Sequence, residues 1–200
     1  MFDRYLLPVS KRFLTPLCRL LKKFNITANQ VTWMAFLMNP FLFWAIYKGF
    51  FGVAVILLLA NRIFDGIDGV LARMTAKTQK GAFIDIVFDY VFYATIPLAF
   101  AFYDADKNAL WAAVLLASFI LTATTFLAFA ALKTKQNKIS EDYPEKGFFF
   151  LGGLTEGVET IGFFLAFCIF PDFFPILATI FAFLCIVTFF YRLNFSIRRL

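Results

Sequence analysis

Asp65 and Asp68 stand three residues apart, and Asp85 and Asp89 four apart, in stretches otherwise dominated by apolar residues. On a helix, either spacing puts both carboxylates on one face. Four acids brought together repel one another, and each costs about 2.5–3.5 kcal/mol near the middle of a membrane helix. A divalent cation relieves both problems. Carboxylates are hard oxygen ligands suited to Mg2+ or Mn2+, which commonly bridge protein carboxylates to substrate phosphates. With four carboxylates and a diphosphate, two ions fit, the arrangement that stabilises the attacking and leaving oxygens of a phosphoryl displacement. Gly69, one turn from Asp65, leaves room for a nucleotide or diphosphate against the backbone, and Gly81 opens the next helix. The forked donors of Arg73 match phosphate oxygens. The competing reading is a structural network in which Arg62 and Arg73 pair with the acids. Two arginines are too few for four acids, and intramembrane acids are functional by default.

The elements that position these residues are membrane helices. Of 200 residues 62% are hydrophobic and 16% charged, with 31 phenylalanines, too few charges to cover a soluble domain. Uncharged runs at 24–47, 108–132 and 173–191 are each long enough to cross a hydrocarbon core of roughly 30 Å. The expected fold is all-α and polytopic, with six transmembrane helices near 31–47, 50–75, 82–103, 109–132, 148–170 and 173–191. Asp65 then lies about 22 Å along the second span, and Asp85 and Asp89 about 6 and 12 Å into the third, so the pairs meet at similar depth. Cys18, Cys168 and Cys185 are scattered and histidine is absent, which argues against a disulfide framework, a thiolate metal site or His-based catalysis.

Residues 1–25 read as an amphipathic interfacial helix and residues 26–200 as one transmembrane domain. In the first segment Leu6, Val9, Phe13, Leu17, Leu20 and Phe24 recur at helical steps, interleaved with Arg4, Lys11, Arg12, Arg19, Lys22 and Lys23. Pro8 and Pro16 are expected to break or kink it, and its charges fit a secretory signal badly. The net charge of +6 points to anionic lipid rather than nucleic acid. Sixteen Lys and Arg fall on one side of the six-span scheme, against Lys48 and Lys107 on the other, with Arg62 intramembrane. That places both termini, and the acidic cluster, on the cytoplasmic side.

The stretch from Asp65 to Asp89 resembles the signature of the CDP-alcohol phosphatidyltransferase family, D-x2-D-G-x2-A-R followed by G-x3-D-x3-D. All eight fixed positions are present: Asp65, Asp68, Gly69, Ala72, Arg73, Gly81, Asp85 and Asp89. The spacer 74–80 holds seven residues where the family usually has eight. The resemblance covers nearly the whole chain, since family members have an interfacial helix, six spans and a dimeric state. It implies that Asp65 and Asp68 bind metal, that Asp85 bridges two metals (Mg2+ or Mn2+), and that Asp89 binds metal and is the catalytic general base. It also implies that Asn29, Gln30, Val31 and Thr32, with Gly69, Ala72, Arg73, Thr78 and Gly81, hold the CDP moiety. The implied reaction is phosphatidyl transfer from CDP-diacylglycerol to a hydroxyl acceptor, with CMP released, in a bacterial inner membrane. Glycerol 3-phosphate is the first choice of acceptor, on family frequency alone. A CDP-choline or CDP-ethanolamine enzyme acting on diacylglycerol is the alternative within the family. A divalent-cation transporter is the alternative outside it, although ion coordination alone would not require Arg73.

Other residues carry two readings each. Asn29 and Thr32 could simply cap the first span. Glu156 and Glu159 could line an acceptor pocket, or form salt bridges to Lys146 or Arg62. Lys133 and Lys135, with Lys138, could bind an acceptor phosphate, or enforce topology and contact anionic lipid.

Overall fold

The path of the chain follows from where its backbone hydrogen bonds are interrupted. A computed structural model describes residues 3–75, 78–135 and 155–199, with side chains described for 13–75, 78–132 and 155–199. Helix α1 spans Asp3–Lys23, α2 Ala28–Leu37, α3 Asn39–Tyr47, α4 Phe51–Met74 and α5 Gln79–Tyr103. Helix α6 spans Ala105–Lys135 and α7 Gly157–Ile169; a 3-10 turn at Pro171–Phe173 then leads into α8, Phe174–Arg199. No strand occurs among the described residues.

The expected span 31–47 is two helices, broken at Met38. Pro40 has no N–H to give the Phe36 carbonyl one turn back, and its ring obstructs that turn. The Asn61 side-chain amide fills part of the gap, donating to the Ala35 carbonyl at 2.8 Å and reaching Asn39 Oδ1 at 3.3 Å. At the start of α2 the cap is Thr27: its hydroxyl accepts from the Gln30 N–H, and Gln30 Oε1 accepts from the Thr27 N–H at 2.8 Å. The capping role considered for Asn29 and Thr32 therefore falls to Thr27 and Gln30. Asn25, at φ +57°, makes the left-handed corner between α1 and α2 that asparagine tolerates.

Helices α5, α6 and the stretch Pro171–Arg199 are long and apolar enough to cross a membrane, and α7 is a shorter apolar helix. Helix α4 is nearly as long as α5, at 24 residues, but carries Arg62, Asp65, Asp68 and Arg73. The expected fifth span, 148–170, is helical from Gly157; residues 148–154 lie outside the described residues. Among the described residues the regular structure is all helical, in an integral membrane protein.

Phenylalanine rings hold the bundle together. Phe92, Phe100, Phe164, Phe167, Phe174 and Phe181 are fully buried in a core shared by α3 to α8. Phe100 stacks on Phe174 at 4.6 Å between centroids, and Phe163 on Phe181 at 4.5 Å. In lipid, helices gain little from excluding water, so close packing of such rigid surfaces carries the association.

A second cluster docks α1 on α4. Cys18, Val31, Ile67, Val70 and Leu71 are buried together, with Leu14 and Leu21 against them. A Cβ at Gly66 would come within 2.9 Å of Leu14 Cδ1, so glycine is what permits this approach. Lys22 Nζ donates to the Met74 carbonyl at 3.2 Å, closing the end of α4. Of the break or kink expected at Pro8 and Pro16, no break occurs: α1 is one helix through both, its later turns held by these contacts. Phe13, Leu17, Leu20 and Phe24 of its predicted apolar stripe are exposed on the opposite edge.

Candidate active site

Helices α4 and α5 bring three of the four expected acids into one close group. One carboxylate oxygen from each of Asp65, Asp68 and Asp85 lies within 4.8 Å of the other two. Mg2+ holds oxygen ligands at about 2.0–2.1 Å, so oxygens this close need only small side-chain rotations to share one ion. The set is all carboxylate, which suits Mg2+ or Mn2+ and disfavours softer metals. The site is therefore chemically and sterically fit for the cation expected from sequence.

The acids open on a cleft lined also by Thr32, Ala35, Phe36, Asn39, Asn61, Arg62, Phe88, Asp89 and Phe92. Asp68 is the deepest of the trio, 5% exposed, and Thr32 Oγ1 lies 2.7 Å from its Oδ2. The same hydroxyl is 3.0 Å from the Ala28 carbonyl, so its single proton has two acceptors in reach. Across the cleft, Phe36 and Phe88 stack at 3.9 Å, with Trp33 edge-on to Phe88 at 4.8 Å.

Asp89 lines the same cleft but is not in that mutually close group. Its Oδ1 is 3.1 Å from Arg62 Nη1, and the same nitrogen is 3.6 Å from Asp65 Oδ2. Arg62 Nε donates to Asn61 Oδ1 at 3.1 Å, and the guanidinium carbon lies 3.9 Å from the centre of the Phe92 ring. Sequence reasoning considered Arg62 only as a competing salt-bridge partner and missed Asn61 and Asn39. An arginine one turn before Asp65 in an apolar helix was the available signal.

The remaining candidates divide. Gly69 lies under the Arg73 guanidinium, whose nitrogens would be 3.7 Å from an added Cβ. Neither residue, nor Ala72, lines the acidic cleft itself. Asn29 reaches the start of α5, where a Cβ on Gly81 would come within 2.8 Å of its Oδ1. Thr78 caps α5 by accepting from the Gly81 N–H at 3.0 Å. Asn29, Thr78 and Gly81 thus form one corner, while Val31 is packed in the α1–α4 interface and Gln30 serves the α2 cap. Glu159 accepts from the Glu156 N–H at 3.2 Å, as the N3 residue of a capping box at the head of α7. Of the two partners proposed for these glutamates, Lys146 lies outside the described residues, and Arg62 is engaged with Asp89 and Asp65. The side chains of Lys133 and Lys135, and the whole of Lys138, lie outside what the structure describes.

Fold and cleft together define a helical membrane protein with a carboxylate site fit for a divalent ion. Residues 25–191 match the CDP-alcohol phosphatidyltransferase family. The chain is 41% identical over 192 residues to the inner membrane protein YnjF of Escherichia coli (strain K12), covering 96% of this chain and 93% of that one. An uncharacterised protein of Aquifex aeolicus (strain VF5) is 32% identical over 90 residues, 44% of this chain and 46% of its own. This chain belongs to the CDP-alcohol phosphatidyltransferase family, and it is an enzyme of phospholipid head-group transfer that takes a CDP-alcohol donor and a hydroxyl acceptor.

Proposed function

We propose that the enzyme moves a phosphatidyl group from CDP-diacylglycerol to a hydroxyl acceptor, with glycerol 3-phosphate the first acceptor to test. The observation that carries the reading is the convergence of Asp65, Asp68 and Asp85 from two helices onto one cleft. Those three carboxylates would hold Mg2+ or Mn2+, which supplies charge neutralisation and Lewis acidity at the donor diphosphate. Thr32 fixes the carboxylate of Asp68 in place. Asp89, held through Oδ1 by Arg62, keeps its other oxygen for the proton of the acceptor hydroxyl. That hydroxyl attacks the lipid-side phosphorus, and CMP departs with the bond electrons. Arg73 over Gly69, and the corner of Asn29, Thr78 and Gly81, flank the acids where the CDP moiety would lie.

The same reading includes six spans: α2 with α3, then α4, α5, α6, the segment ending in α7, and α8. Both termini and the cleft face the cytoplasm of a bacterial inner membrane, α1 lies in the interface, and the enzyme is a homodimer. The apolar outer edge of α1 and the distribution of Lys and Arg support the orientation. The test is CMP release by purified protein from CDP-diacylglycerol, with Mg2+ or Mn2+, across glycerol 3-phosphate, phosphatidylglycerol, serine, inositol and inositol phosphate. Release with one acceptor identifies the reaction. No release with any of them, but turnover of CDP-choline or CDP-ethanolamine on diacylglycerol, would replace it with the reversed scheme.

A further inference from the structure

We propose that Arg62 is a built-in cation of this cleft: before the donor binds, one divalent ion sits on Asp65, Asp68 and Asp85, and the guanidinium stands in for a second at Asp89. The proposal rests on the reading of the three acids as a metal site. Asp89 is outside the group of mutually close carboxylates and is already paired, at 3.1 Å, with Arg62. The guanidinium is not a loose surface charge. Its side chain is 16% exposed, one face lies on the Phe92 ring at 3.9 Å, and Nε is held by Asn61. Asn61 is itself pinned to the Ala35 carbonyl and to Asn39 at the helix break. Moving Arg62 away from Asp89 would therefore cost an aromatic contact and a hydrogen bond besides the ion pair.

Charge counting agrees. Four carboxylates and one guanidinium leave three negative charges. One divalent ion reduces the deficit to a single charge, whereas a second would make the empty cleft positive beside a fixed cation. The donor diphosphate supplies the negative charge that a second ion needs, so that ion enters with the donor. Arg62 lies outside the eight signature positions, three residues before the first of them.

Mn2+ titration of the purified full-length protein in nanodiscs without nucleotide, with free Mn2+ followed by electron paramagnetic resonance, tests this. The expected stoichiometry is one ion per chain for wild type and two for Arg62→Gln. Arg62→Lys, which keeps the charge, is expected to hold one. Asp89→Asn in the wild-type background is expected to keep the single ion with affinity changed less than about threefold, and serves if Arg62→Gln fails to fold. Two ions in wild type, one ion in folded Arg62→Gln, or loss of the ion in Asp89→Asn would each overturn the proposal. No Mn2+ bound by wild-type protein of native helicity would instead remove the metal reading of the trio itself.

Discussion

The Thr32 hydroxyl lies 2.7 Å from Asp68 Oδ2, the only acid of the convergent trio that is fully buried, and so links α2 to the metal-competent face of α4. Thirty-six residues separate the two in sequence. The capping box at Thr27 sets where α2 begins, and that start places Thr32 one turn further in, facing α4.

Replacing Thr32 by valine keeps the shape and removes the hydroxyl. A hydrogen bond to a charged group is worth about 1.5–3 kcal/mol, so a loss of roughly ten- to a hundredfold in kcat/KM is expected. The Mg2+ concentration for half-activation rises alongside it, with circular dichroism unchanged. Wild-type metal dependence in Thr32→Val would show that Asp68 needs no tether.

Gly69 and Gly81 separate ligand space from folding space. An added methyl at Gly69 meets only Arg73, at an ordinary 3.7 Å, so Gly69→Ala should melt like wild type. Its KM for the CDP-linked donor should nonetheless rise about tenfold or more if the donor lies against that backbone. Gly81→Ala drives into Asn29 Oδ1 at 2.8 Å, and is expected to lower both the melting temperature and donor binding. Equal donor KM in Gly69→Ala and wild type would place the nucleotide elsewhere.

Asp85 and Asp89 should fail differently. Asp85→Asn removes a member of the trio and is expected to abolish Mn2+ binding and activity together. Asp89→Asn should retain Mn2+ but lose about 10^2–10^4 in kcat, the usual contribution of a general base. Substantial turnover in Asp89→Asn would transfer the base role to another group.

Phe100 tests the ring core. It is fully buried and stacks on Phe174, with Phe51 and Phe167 also against it. In lipid the transfer term largely cancels while the cavity remains, so Phe100→Ala should cost about 2 kcal/mol, read as lower thermal stability in nanodiscs. Specific activity of the folded fraction should hold, since Phe100 does not line the cleft.

The acids were legible in sequence because helical spacing alone puts each pair on a face, and the apolar residues between them fit membrane helices. Which acids converge was not. Asp85 joins Asp65 and Asp68 while Asp89 turns to Arg62, a choice made by the relative rotation of α4 and α5 that no single-helix pattern encodes. Pro40 was an available signal of the interruption that placing the span 31–47 by hydropathy did not use. Pro16 did not bring the break that was one of its two expected effects, and contacts of Leu14, Cys18 and Leu21 with α4 accompany the continuous helix. Glu156 and Glu159 read as lining an acceptor pocket or pairing with Lys146 or Arg62, and the structure gives Glu159 a further role, accepting from the Glu156 N–H at the helix head.

Helix α1 is bolted to α4 by Cys18, Leu14 and Lys22, while Phe13, Leu17, Leu20 and Phe24 look outward. In the proposed orientation this makes α1 a float: the depth at which it rides fixes the height of the acids in the leaflet. A lipid donor could then keep its acyl chains among its neighbours and lift only its polar head into place. Thinning the bilayer, or crowding the headgroup layer, would shift the float and the chemistry with it, so membrane composition could set turnover with no dedicated effector site.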